Sequence, residues 1–255
     1  MKTNQIIQIN RLGLLIRRQV FSNGKSIGIA FGAITGMLLV ITLLVAYFNP
    51  AALNNLHYLY FTALFIGGYI FSSNVYNELH QIQKSYSYLT LPVSTTERLL
   101  SGWIISGLLF SVVSLVAIAI VVILSGLIMT LITGSAPVKD VFYHQSLSLV
   151  KTYMITQTIF LLGAVYFRKN NFLKTLLALF LFMVVINLYT GLVGWMLFGS
   201  FTQQGGMIVD ETAVIQPMEK LFTTHFPTLA SFIFNWLFGP FFLVTTWFGI
   251  KERQV

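Results

Sequence analysis

The stretch over 99–132, LLSGWIISGLLFSVVSLVAIAIVVILSGLIMTLI, contains no charged side chain. A run of that length and character is a membrane-span signature, since about 20 apolar residues suffice to cross the hydrocarbon core. Five further apolar stretches accompany it, giving spans near 27–48, 58–76, 99–132, 147–167, 172–198 and 228–249. The third exceeds a single bilayer crossing and must tilt or project beyond it. The expected fold class is therefore all-α: a polytopic membrane protein with six transmembrane helices, residues 1–255 forming one transmembrane domain.

Composition supports this. Only 9% of the 255 residues are charged, against about 25% in soluble domains, too few to coat a water-facing surface. A soluble enzyme is thereby excluded. The net charge of +8 would point to nucleic acid in a soluble chain, but membrane proteins gather Lys and Arg in cytoplasmic loops. With six spans, one side holds Lys2, Arg11, Arg17, Arg18, Lys25, Lys84, Arg98, Arg168, Lys169, Lys174, Lys251 and Arg253. The other holds Lys139, Lys151 and Lys220. This asymmetry predicts a cell-membrane (inner or plasma membrane) protein with both termini in the cytoplasm and no nucleic-acid partner. The absence of Cys removes disulfides, thiolate metal sites and cysteine nucleophiles.

Local signals refine the picture. Residues 5–21 place Ile6, Ile9, Leu12 and Ile16 at helical spacing among Arg11, Arg17 and Arg18, which reads as an amphipathic helix lying in the membrane interface. It is too polar for the apolar core of a signal peptide, so an uncleaved N-terminus is expected. Ser94-Thr95-Thr96-Glu97 after Pro92 has the form of a capping box, with Ser94 as N-cap and Glu97 three residues on. Pro240 within the sixth span predicts a kink. The segment 77–98 is the longest inner connection, polar and helix-compatible to about Tyr88. No internal repeat is visible.

The chemistry of the spans is defined by what they lack. Glu78, Glu97, Asp140, Asp210, Glu211, Glu219 and Glu252 all lie outside the apolar cores, and His57, His80, His144 and His225 sit at span ends or in loops. Ion-coupled carriers normally keep an ionisable group within the membrane, which disfavours a secondary carrier. No protease motif occurs. The Gly24-Lys25-Ser26 tripeptide lacks the first Gly of a phosphate-binding loop, since Gln19 stands there. No catalytic residue, cofactor or metal site is expected. Asn74, Asn77, Gln157, Asn187, Thr190 and Asn235 are expected mainly to bond across helices. Gly24, Gly28, Gly32 and Gly36 form a stripe at four-residue spacing that suits close helix packing, either within the chain or at a dimer seam.

Tyr88-Leu89-Thr90-Leu91-Pro92-Val93-Ser94-Thr95-Thr96-Glu97-Arg98 and the ending Trp247-Phe248-Gly249-Ile250-Lys251-Glu252-Arg253, in this layout, resemble the permease subunits of type 2 ABC exporters. The resemblance implies transport of an unidentified substrate, driven by a separate cytoplasmic ABC ATPase subunit. It also implies a second permease subunit, in a homodimer or heterodimer. It places an ATPase-docking coupling segment at Asn77 to Leu91, including Glu78, Gln81, Lys84, Tyr86 and Tyr88, with the N-terminal helix beside it. The family's re-entrant helices before the last span do not match 200–226, which carries Asp210, Glu211, Glu219 and Lys220. A non-transport polytopic protein, such as an assembly factor or sensor component, would share the topology.

Overall fold

Within a bilayer, backbone amides and carbonyls must bond inside their own segment, which makes helices the economical solution for an apolar chain. The computed structural model describes residues 8–22, 24–49, 52, 55–81, 90–133, 146–203 and 226–253, and among them every long element is a helix. These are α1 (Ile9–Ser22), α2 (Gly24–Phe48), α3 (Leu56–Asn74), α4 (95–133), α5 (Ser146–Tyr166), α6 (Asn171–Gln203) and α7 (Phe226–Glu252). Several Thr and Asn within them are satisfied locally. Thr42 Oγ1 donates to Leu38 O at 2.7 Å and Thr246 Oγ1 to Phe242 O at 2.6 Å. This i−4 back-bonding lets hydroxyls sit in apolar helices without orphaned donors.

Among the described residues five helical stretches are long and apolar enough to cross a membrane: Ile27–Phe48, Thr95–Ile132, Ser146–Tyr166, Asn171–Met196 and Phe226–Glu252. The second expected span, seen as α3, is not among the five. Its sequence mixes His57, six Tyr and Phe side chains, two Gly and two Ser into 19 residues. The reason is visible in its surroundings: Tyr60, Gly68, Ser72 and Ser73 are buried against other helices, so α3 is shaped to meet protein more than lipid.

Contacts at the helix ends fix their directions. At one end, Thr42 near the finish of α2 shares a 2.8 Å hydrogen bond with Tyr60 near the start of α3, and His57 and Ser146 border a common crevice. At the other end the finish of α3, the start of α4, the finish of α5, the start of α6 and the finish of α7 converge. Tyr76 OH donates to Arg98 O at 3.2 Å, His80 meets Ala164 O at 2.7 Å, and Asn171 Nδ2 donates to Ser73 O at 3.2 Å. The helices α2 to α7 thus alternate in direction. Between α5 and α6 the chain reverses through Asn170 in the left-handed region, φ 53°, where Asn is favoured among non-glycine residues.

The capping box is formed as its sequence predicts. Ser94 N donates to Glu97 Oε2 at 2.8 Å and Glu97 N to Ser94 Oγ at 3.2 Å. The helix that follows has roughly 38 residues at about 1.5 Å each, near 57 Å, well beyond a 30 Å hydrocarbon core. Its first turns are accordingly held by protein: Glu97, Arg98, Ser101 and Gly102 are buried. Within α4 a π-helical segment covers Ile104–Leu109, and a second covers Ile233–Phe238 in α7, directly before Gly239-Pro240. Pro240 has no N–H to offer and its ring crowds the carbonyl four residues back; the widened turn takes up both problems.

Candidate functional site

Three features at and near the converging ends stand out: a shoulder, a polar seam between α3, α4 and α5, and a cleft between α2, α3 and α4.

The shoulder is built on Glu97. Besides closing its own cap, its Oε1 accepts from Gln8 N at 3.0 Å, while Arg11 Nη1 donates to Pro92 O at 3.4 Å. The N-terminal helix therefore rests on the start of α4, with Leu15 buried and Arg11, Arg17 and Arg18 exposed. Tyr76 occupies the space over Gly102, where a Cβ would collide with the phenol ring. This close approach is what lets the phenol reach the carbonyls of Arg98 and Leu99, at 3.2 and 3.3 Å. Arg98, 2% exposed, donates from Nη2 to Leu91 O at 3.3 Å.

On the opposite flank of the shoulder, Arg253 Nη1 lies 3.0 Å from His80 Nδ1, and His80 Nε2 lies 2.7 Å from Ala164 O. A guanidinium can only donate, so Nδ1 accepts and Nε2–H gives its proton to Ala164 O: the ring is neutral. Burial holds the imidazole below its ordinary range, and the Arg253 and Arg168 charges push the same way, against the hydrogen bond to Ala164. The bond clamps Arg253, the residue that caps the C-terminus of α7, to the connection leaving α3. The sequence places His80 only among span ends and loops; no spacing signal joins positions 80, 164 and 253.

The seam lies at mid-helix. Tyr153 OH donates to Ser106 O inside the π segment at 2.7 Å, Ser72 Oγ donates to Gln157 Oε1 at 3.1 Å, and Tyr69 OH shares a 2.7 Å bond with Thr156 Oγ1. Gly68 admits the Tyr153 ring and Gly107 the Gln157 amide, where a Cβ would clash in each case. Tyr69 stacks on Phe160 with centroids 4.3 Å apart. The π segment thus offers a carbonyl for Tyr153, and small residues bring three helices within bonding distance.

Of the polar span residues expected to bond across helices, Gln157 does so. Asn74, Asn187 and Asn235 do not: each donates to the carbonyl four residues back, on Ile70, Met183 and Ser231, at 2.7–2.8 Å. An amide on an exposed face has its own helix as its nearest acceptor. Thr190 is exposed on α6, and Asn77 is exposed beside the cleft.

The cleft measures about 470 Å³ and opens between α2, α3 and α4. It exists because α2 packs through Leu38, Thr42 and Ala46, in its second half, and stands off in its first. Phe31, Phe71 and Phe110 wall it, with Phe110 5.4 Å from each of the other two rings. Asn74, Asn77, Glu78 and Gln81 line it toward the converging helix ends.

Of the expected ATPase-docking residues, Glu78 and Gln81 are placed here. Lys84, Tyr86 and Tyr88 lie outside the described residues, as do 204–225, the greater part of the segment before α7. The expected helix from 77 toward Tyr88 is, among the described residues, one 3₁₀ turn over Asn77–His80, followed by extended backbone at Gln81. Tyr76 turning inward to α4 and His80 to α5 commits this stretch to tertiary contacts in place of helical continuation. Gly24, Gly28, Gly32 and Gly36 are not packed against other parts of the chain: among the described residues a Cβ at any of them would meet nothing within 4 Å.

Comparisons with protein-family models, curated proteins and solved structures find no match.

Proposed function

We propose that this chain is the membrane-spanning permease subunit of an ABC-type exporter, moving its substrate with ATP hydrolysed on a separate cytoplasmic subunit. In this reading α2 to α7 are six spans, α1 lies in the interface, both termini are cytoplasmic, and the chain has no catalytic residue or cofactor of its own. Two permease subunits pair, with the open glycine stripe of α2 as the candidate seam.

The observation that carries the reading is the shoulder. A permease driven from outside needs a cytoplasmic surface that takes force and passes it to a spanning helix. Here the connection leaving α3 is bound at Tyr76 to the start of α4, the longest helix, and α1 is bound to the same turn through Glu97. Displacement of the 77–91 segment would thus move α4 and α1 together. The apolar spans support the same division of labour, since energy supplied by a partner requires no intramembrane acid.

The test is purification in mild detergent followed by mass spectrometry. An ABC ATPase should co-purify stoichiometrically, and Tyr86→Ala with Tyr88→Ala should release it while leaving membrane insertion unchanged. Repeated absence of an ATPase, or co-purification indifferent to the double substitution, refutes the respective part of the proposal.

A further inference from the structure

The cleft between α2, α3 and α4 has a chemistry more specific than its shape. Its walls are apolar and aromatic, contributed by Ile27, Phe31 and Ile34 from α2, Ile70 and Phe71 from α3, and Phe110 from α4. Its volume, about 470 Å³, falls in the range of small-molecule sites. The mouth carries amides and one acidic side chain: among the described residues Glu78 is the one Asp, Glu, Lys or Arg that lines the cleft. The exposed bases of the same end, Arg17, Arg18 and Lys25, are therefore outside it. An apolar slot ending in a carboxylate and amides is complementary to a molecule with a hydrocarbon chain and a positive head.

We propose that this cleft binds a single-chain amphiphile with a cationic head group, its chain along Phe31, Phe71 and Phe110 and its head at Glu78. The open side left by the stand-off of α2 provides entry from the surrounding phase without unpacking the bundle. An anionic amphiphile would bring like charge to Glu78, and a small hydrophilic cation would leave the aromatic walls uncovered. The inference rests on the chain being embedded in a bilayer and is independent of the ATPase partner.

The experiment uses the full chain in phosphatidylcholine nanodiscs with a diazirine-bearing dodecyltrimethylammonium, and dodecyl sulfate with the same photoreactive chain as its counterpart. Adducts of the cationic probe, mapped by mass spectrometry, should concentrate on the cleft walls of α2, α3 and α4, and those of the anionic probe should not. Glu78→Gln should weaken cationic binding by about 5- to 10-fold, the worth of one partly exposed ion pair near 1 kcal/mol. Ala30→Trp, a filling substitution at an exposed position bordering the cleft, should remove protection by unlabelled dodecyltrimethylammonium; Ile34→Trp serves if the first variant misfolds. Labelling spread as densely over the exposed face of α6, equal occupancy by dodecyl sulfate, or binding unchanged in these variants would overturn the proposal. Cleft labelling without a co-purifying ATPase would instead sink the exporter reading and leave the binding site standing.

Discussion

The His80 clamp gives the sharpest prediction, because its geometry requires one protonation state. Arg253 donates to Nδ1 at 3.0 Å and Nε2–H is donated to Ala164 O at 2.7 Å, so a second proton on the ring breaks the first bond and places two positive groups in contact. The folded-state pKa of His80 is lowered from 6.5 by burial and by the Arg253 and Arg168 charges. The unfolded or detached state then binds the proton more readily. The clamp's contribution is fully present above about pH 6.5 and is lost as pH falls through the lowered folded value. Of the two hydrogen bonds only the one from Arg253 holds α7, and Arg253 Nη2 keeps its 3.5 Å contact with Tyr166 O, so His80→Ala should weaken attachment of the α7 C-terminus by about 1 kcal/mol. That corresponds to about a 5-fold increase in local opening. Hydrogen exchange of a peptide spanning 247–253, measured in nanodiscs at pH 8 and pH 5 and corrected for intrinsic rates, reads this directly. The wild-type protein should be less protected there at pH 5 than at pH 8, and His80→Ala should show the reduced protection at both. Equal corrected exchange at both pH values in the wild type, or an equal acid-induced loss in His80→Ala, would refute the clamp.

Two further substitutions address the packing of the shoulder and seam. Ser94→Ala removes the N-cap acceptor for Glu97 N and should cost about 1 kcal/mol, seen as a lower Tm in detergent, with faster exchange at the start of α4. Gly68→Val should be more damaging, by about 1–3 kcal/mol or more, because its Cβ enters the Tyr153 ring; a Tm unchanged from wild type would show that α5 approaches α3 less closely than described.

Sequence alone was informative where physics acts locally. Apolar runs set the helices to within a few residues, since a segment without polar side chains can satisfy its backbone in only one way within lipid. The Ser94–Glu97 cap was equally readable, because donor and acceptor are three residues apart. Pro240 announced a disturbed helix, though its form, a π turn before the proline, depends on how the surrounding turns accommodate it. The sequence also predicted a helix from 77 toward Tyr88, which Tyr76 and His80 prevent over Asn77–His80 by bonding to residues 22 to 84 positions away.

The tertiary structure decided the rest. That α3 serves as a protein-facing helix follows from the burial of Tyr60, Gly68, Ser72 and Ser73, which no hydropathy pattern assigns to particular neighbours. That Asn187 bonds its own helix while Gln157 reaches Ser72 depends on which face each occupies, and two amides in apolar runs look alike until the helices are packed. The cleft is the clearest case. Phe31, Phe71, Phe110 and Glu78 are unrelated by any spacing, and they line one cleft because α2 buries Leu38, Thr42 and Ala46 in its second half and leaves its first half apart. Local bonding energies are written in neighbouring residues; a cavity is defined by where three helices fail to meet.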